Sequence, residues 1–303
     1  EPPSKYTPHG WHKGLLHGIP FDPHRMAGYL DRKMAADGVD VLLNTRIVDL
    51  VKDGNTIRHL IFHNKSGLQA VAAAAVIDAT GDADIAALAG CPHDKGRDED
   101  QAMTAVTLEV HVDNVDQDTF ADYVYEHDEP RMREFIKRKR AEGTWTQNAD
   151  IFICVQLNEK GVMMLNTTRV CDIDGTDGAS ITLGLRQGRT EIDWLIGFLR
   201  EHMPGCSNVR IKANAPMPGV REKRPIHGQP KPPVTPIPYG ILVPREGADN
   251  LICPGRSVSV EREVLGPLRV MAPVMAMGEA AGVAAAQVVT RAMAFATVEV
   301  AGL

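Results

Sequence analysis

The stretch NLICPGRSVSVEREVLGPLRVMAPVMAMGEAAGVAAA, residues 250–286, decides the fold class. A short apolar strand over Asn250–Cys253 stops at Pro254-Gly255-Arg256. A loop then carries Ser257, Ser259, Glu261 and Glu263, and Gly266-Pro267 leads into a long helix over Arg269–Ala294. The small residues Ala276, Gly278, Ala280, Ala281, Gly282, Ala284 and Ala285 let that helix pack closely on a sheet. Its first turn offers unpaired N–H groups and the positive end of the helix dipole, which suits phosphate or an electron-rich ring edge. Strand, glycine turn and helix in this order mark an α/β protein.

A second segment, VIDATGDADIAALAG at 76–90, has the same logic. An apolar strand arrives at Ala79-Thr80-Gly81, where the lack of bulky side chains admits a ligand or another backbone. Asp82 and Asp84 follow, opening the apolar stretch Ile85–Ala89.

Between and around these segments the pattern alternates. Asp22 is a helix N-cap with Pro23 at the first helical position, and the apolar spacing of Met26, Tyr29, Leu30 and Met34 continues the helix to Gly38. Strand material follows over Val39–Leu43, Arg46–Val51, Thr56–His63 and Leu68–Ile77, punctuated by Asp53-Gly54-Asn55 and Asn64-Lys65-Ser66-Gly67. That is a small antiparallel meander whose last strand returns to the main sheet. Longer strands are expected over Asp100–Val112 and Asp150–Val170, with a charged helix over Pro130–Gly143 and another helix over Thr182–Met203. The five prolines of Gln229–Pro238 exclude a helix or a central strand, and Ile241–Pro244 reads as a short strand.

Composition narrows the function classes. The 303 residues are 44% hydrophobic and 24% charged, a globular average that argues against fibrous or wholly disordered classes. A net charge of −6 gives no nucleic-acid footprint. The five cysteines, 91, 154, 171, 206 and 253, are scattered, which suits reduced thiols and a cytoplasmic setting rather than disulfides or zinc. Val270–Val289 approaches a membrane span in length, but its alanines and the central Glu279 favour burial in a soluble fold, so no membrane partner is expected.

Taken together the motifs resemble the FAD-dependent oxidoreductases of the glutathione-reductase-like flavoprotein group. The resemblance is ordered along the chain. It includes GIPFDPHRM at 18–26, VDVLLNTRIVDLV at 39–51, the 76–90 block, NTTRVCDIDGTD at 166–177, APMPGVREKR at 215–224 and the 250–286 block. It implies a Rossmann-like FAD-binding domain, built discontinuously from residues 1–100 and 240–303, with a sheet-based substrate domain inserted at 101–239. It also implies FAD as cofactor, a small organic substrate and hydride transfer between the two.

Carried onto this sequence, the resemblance implies that Ile47 touches the adenine through its backbone. Ala79, Thr80 and Gly81 would pass close to the adenosine and ribose. Gly255 and Arg256 would sit at the pyrophosphate and ribityl chain, and the peptide groups of Leu268, Arg269, Val270 and Met271 would face the flavin ring. Simple helix-on-sheet packing accounts for Ala276–Ala286 equally well.

The sequence departs from that pattern at its front. Flavoproteins of this group open with strand–GxGxxG–helix, and no such segment occurs here. The first βαβ unit is expected on a longer polypeptide or on a second chain; alternatively the protein is a non-catalytic scaffold of a larger redox assembly. A homo-oligomer is a further option.

On the substrate side, Arg221 and Arg224 are candidates to hold a carboxylate, an enolate or the flavin's N1/O2 edge, against a structural ion-pair cluster with Glu222. His17, just before Ile19-Pro20-Phe21, is the candidate acid or base. The neighbouring His9, His12 and His24 lack metal-ligand spacing, so no metal is expected. The basic run Arg131–Arg140 reads as a solvated helix face, and Cys253 as a small buried side chain.

Overall fold

Asp22 starts the first helix as its pattern demands: the carboxylate accepts the Arg25 N–H at 2.8 Å, with Pro23 in the first turn. The computed structural model describes residues 21–96, 103–157, 159–221, 237–260 and 262–299. Along the chain run α1 (Pro23–Ala36), β1 (Arg46–Asp53), β2 (Thr56–Asn64), β3 (Gly67–Ala72), β4 (Val76–Ile77), α2 (Asp84–Leu88), β5 (Thr104–Thr107) and β6 (Val110–Asp113). There follow α3 (Gln117–His127), α4 (Arg133–Ala141), β7 (Cys154–Gln156), β8 (Met163–Leu165), α5 (Gly178–His202), β9 (Arg210–Asn214) and β10 (Gly219–Arg221). β11 (Leu251–Ile252), α6 (Arg262–Leu268) and α7 (Met271–Arg291) complete the order. The α/β class read from the sequence is the class found.

The chain divides into two units, Glu1–Asp40 with Thr104–Val220, and Val41–Met103 with Arg221–Leu303. In the first, an antiparallel sheet of order β7-β8-β6-β9 packs one face on helices. Val110, Val112, Met163 and Leu165 from the sheet share a core with Phe120, Phe135, Ile192 and Leu199 from the helices. Trp145, 2% exposed, stands edge-on to Trp194 and Phe198 at centroid distances of 5.3 and 4.9 Å. α5 begins earlier than its apolar spacing suggests, because Asp177 caps it through Ser180 N–H at 2.7 Å. Gly184 and Gly188 let α5 lie against Ile173 and Leu108, where a Cβ at Gly188 would come within 2.9 Å of Leu108. α1 buries none of its residues; Tyr29 and Leu30 of its apolar stripe are exposed.

The expected long strands are shorter. The run to Val112 breaks between β5 and β6, because Leu108 spends its N–H and carbonyl on the Thr168 hydroxyl at 2.7 and 3.0 Å. The run 150–170 doubles back on itself as the antiparallel pair β7 and β8, closed by Leu157 N–H on Val162 O.

In the second unit, β1, β2 and β3 form the antiparallel meander. Val39–Leu43 is not a strand, and the expected strand to Ile77 divides at Ala73–Ala75 into β3 of the meander and β4 of another sheet. β4 pairs in parallel with β11, Val76 beside Leu251 and Ile77 beside Ile252. Asn250 knits the two sheets together. Its buried amide accepts Ile57 N–H at 2.9 Å and donates to Ile57 O and Ala74 O at 2.9 and 3.1 Å, so a side chain completes backbone pairing. Lys52 does similar work, donating to the carbonyls of Ala89, at 2.7 Å, and Gly247.

Ile241–Pro244, expected as a strand, instead begins inside a single 3-10 turn over Tyr239–Leu242, closed by Ile241 N–H on Pro238 O. The long helix also differs. α6 ends at Leu268 and α7 starts at Met271, with Arg269 and Val270 between them. Pro273 fits the break: it lies in the first turn of α7, where its missing N–H costs no helical bond, and it offers no N–H to the Arg269 carbonyl four residues back. α7 is, among the described residues, the one helix long and apolar enough to cross a membrane. It carries Glu279 at mid-length and buries Met277, Ala281, Ala284 and Val288 in the core of the unit. Gly278, Gly282 and Ala276 lie on its exposed side, so close packing uses only part of the small-residue stripe.

Candidate functional site

The parallel pair β4/β11 delivers both motif turns to the same end of one small sheet. After β4, Asp78 donates its N–H to Ile252 O at 2.8 Å and is wholly buried. Its carboxylate organises the turn beyond the strand: one oxygen accepts Thr80 N–H at 3.1 Å and the Thr80 hydroxyl at 2.6 Å, the other accepts Ala86 N–H at 3.0 Å. Thr80 Oγ1 in turn accepts Asp84 N–H at 3.0 Å at the start of α2. A buried carboxylate with these partners fixes the Ala79–Gly81 turn while leaving Ala79 and Thr80 exposed.

Gly81 is glycine for two reasons. Its φ is +84°, and a Cβ there would sit 2.5 Å from Nη1 of Arg256. The guanidinium therefore lies directly on the Gly81 backbone, and Nη2 pairs with Asp82 Oδ2 at 2.6 Å. Gly255, with φ +104°, supplies the turn that sends Arg256 back across the sheet end. Three atoms here are shielded from water and have no hydrogen-bond partner among the described residues: Asp82 Oδ1, Arg256 Nε and Ser257 Oγ.

The site is acidic as well as basic. Burial, then the nearby Asp82 and Asp78 carboxylates, push the Asp84 carboxyl above its ordinary value, against the opposing pull of Arg46 and Arg256. Ile47, on β1, packs on the same apolar cluster as Val76, Ala83 and Leu251.

The structure thus brings Ala79, Thr80, Gly81, Gly255 and Arg256 to one place, with Ile47 on the cluster beneath. Leu268, Arg269, Val270 and Met271 form the junction of α6 and α7 in the same unit, and Arg269, Val270 and Met271 are exposed. Val270 caps α7 with no side-chain hydrogen bond. Arg221 ends β10, beside β5, while His17 and Arg224 lie outside the described residues. Among the described residues no group of His, Cys, Asp and Glu is arranged to hold a metal ion.

Sequence reasoning missed the roles of Asp78, which shapes the turn, and Asp82, which pairs with Arg256. Asp78 had a signal, since Asp-x-Thr at a strand end is a local turn pattern in which the acid bonds the backbone two residues on. The Asp82–Arg256 pairing had none, because the two residues are remote in the chain.

A family model described as FAD dependent oxidoreductase matches residues 3–235 and 229–303. No curated protein matches the chain. Solved structures that match include p-nitrophenol 4-monooxygenase PnpA from Pseudomonas putida DLL-E4, 12% identical with a TM-score of 0.47 over 94% of this chain and 60% of that one. The flavin-dependent brominase Bmp2 is 13% identical, TM-score 0.47, over 88% of this chain and 55% of that one. The myxobacterial chondrochloren halogenase CndH is 11% identical, TM-score 0.44, over 92% and 56%. The chain spans 60% or less of the length of these three.

Proposed function

Since this chain belongs to the FAD dependent oxidoreductase family, we propose that it is the larger part of an FAD enzyme that moves a hydride between a small organic substrate and the flavin. The observation that carries this reading is the meeting of Gly81 and Arg256, which joins the two glycine turns at the end of β4 and β11. Two positive-φ glycines and a guanidinium suit close approach of an anionic dinucleotide, so the residues present fit the group. When bound, FAD supplies the two-electron chemistry, and the protein supplies binding and orientation.

In this reading Ala79–Gly81 and Ile47 line the adenosine end, and Gly255 and Arg256 line the pyrophosphate and ribityl chain. Arg269 and the first turn of α7, which no side chain caps and where Pro273 carries no N–H, face the flavin ring. Asp78 acts one step back, holding the Ala79–Gly81 turn in shape. The substrate domain falls within 101–239; Arg221 and Arg224 hold an anionic substrate group, and His17 gives or takes a proton. The missing GxGxxG unit is supplied by further chain or by a second polypeptide, and the whole is soluble and cytoplasmic.

The test is the flavin itself. The native polypeptide, purified intact, is expected to carry FAD, and Arg269→Glu is expected to lower its flavin content by placing a carboxylate at the electron-rich ring edge. Colourless protein that takes up no added FAD would overturn the enzyme reading. Unchanged occupancy in Arg269→Glu would overturn only the placement of the ring.

A further inference from the structure

We infer that Asp82 and Ser257 are two further ligand-binding residues, reading respectively a sugar hydroxyl and an adjoining phosphoryl oxygen of the dinucleotide. The inference rests on the FAD reading and deepens it. Its starting point is a mismatch at the Asp82–Arg256 pair. Asp82 gives one oxygen to Arg256 Nη2 at 2.6 Å, while Oδ1 has no donor. Arg256 uses its outer nitrogen, while Nε has no acceptor, and the next side chain, Ser257, has its hydroxyl equally unpartnered among the described residues. Polar atoms cut off from both water and partners are costly, and they seldom cluster unless something else satisfies them.

The chemistry of the three atoms is specific. Arg256 Nε is a donor beside a fixed positive charge and Ser257 Oγ is a donor on the same turn, the pair a phosphoryl oxygen requires. Asp82 Oδ1 is a carboxylate acceptor, which a phosphate would repel and a hydroxyl would satisfy. Two donors on one turn, and an acceptor on the carboxylate that pairs with it, suit a ligand that carries a hydroxyl next to a phosphate. The side chains of Asp82 and Arg256, 17% and 30% exposed, border the surface. Gly255, just before Arg256, leaves room: a Cβ there would meet no atom within 4 Å.

In a dinucleotide the hydroxyl comes from the ribityl chain or from the adenosine ribose. The probes are therefore FAD, FMN and ADP, titrated into the flavin-free native polypeptide and read by flavin fluorescence or calorimetry, with the melting temperature of each ligand-free variant as a control for folding. Ser257→Ala is expected to weaken FAD binding about tenfold, and Asp82→Asn by at least as much. Loss by Asp82→Asn of FMN affinity assigns the hydroxyl to the ribityl chain, and loss of ADP affinity assigns it to the ribose. Wild-type protein that binds FAD while both variants bind it equally well would overturn this inference and leave the FAD reading standing. Wild-type protein that binds no FAD would overturn both.

Discussion

The two long helices, α5 and α7, show how differently the two units are built. α5 buries Ile192, Leu195, Ile196, Phe198 and Leu199, and its own Trp194 and Phe198 interlock edge-on with the ring of Trp145. α7 is more apolar in sequence yet buries only Met277, Ala281, Ala284 and Val288, leaving Met271, Met275, Val283 and Val289 exposed. The first unit is held by bulky packing. The second relies on polar clamps, Asn250, Asp78 and Lys52, around small residues, and it carries the two glycine turns of the candidate site. Apolarity of a helix therefore says little about how much of it a core will take.

The largest expected effect lies in the packed unit. Trp145→Ala removes the ring on which Trp194 and Phe198 stand, and should cost about 3–5 kcal/mol in denaturant melts. FAD affinity of the molecules that remain folded should hold within about twofold, since flavin contacts are assigned to the other unit; a parallel collapse of affinity would break the contrast. Gly81→Val is the converse. It forces a β-branched residue to φ +84° against Arg256, and should cost about 1–3 kcal/mol while reducing FAD affinity at least about tenfold. Normal affinity in that variant would detach the turn from the ligand.

Asp177→Ala, which removes the α5 cap, should cost about 1 kcal/mol and leave FAD binding alone. The smallest effect is on pH dependence. Hydrogen bonds from Thr119 hold the Asp116 carboxyl, in the packed unit, below its ordinary 3.8, so its contribution is present above pH 3.8 and is lost as pH falls through the lowered folded value. Asp84 has the opposite sign. Its folded value is raised above 3.8, so ionisation costs stability as pH rises through that range, and Asp84→Asn should gain on wild type over the same interval. Urea melts from acid to neutral pH check both; an Asp84→Asn curve parallel to wild type would show that the carboxylates around Arg256 are not coupled to folding.

What the sequence made legible was local. Asp22 and Pro23 set a helix start, Asp53-Gly54-Asn55 and Ser66-Gly67 set the meander turns, and the two glycine turns marked the candidate site. Pro273 held the information that splits the long helix, through the carbonyl it cannot serve. α3 was not legible: its Asp116 cap and its apolar positions Phe120, Ala121 and Val124 were there, but the charged residues between them dilute the pattern. Nothing in the chain says that the amide of Asn250 will pair with Ile57, or that Arg256 will choose Asp82. Such pairings depend on where two distant strands happen to be neighbours, which local periodicity does not encode.

The reach of Asn250 has a consequence in time. Ile57 and Ala74 are made early, and their partner comes 193 and 176 residues later, after the Thr104–Val220 segment of the first unit has been synthesised. The apolar cluster of Ile57, Val76 and Ile85 gains Ala248, Leu251 and Cys253 only then, so its early residues are made before these late partners. The first unit, by contrast, is complete in sequence by residue 220. The meander and β4 therefore stand without their last core partners until β11 has been made.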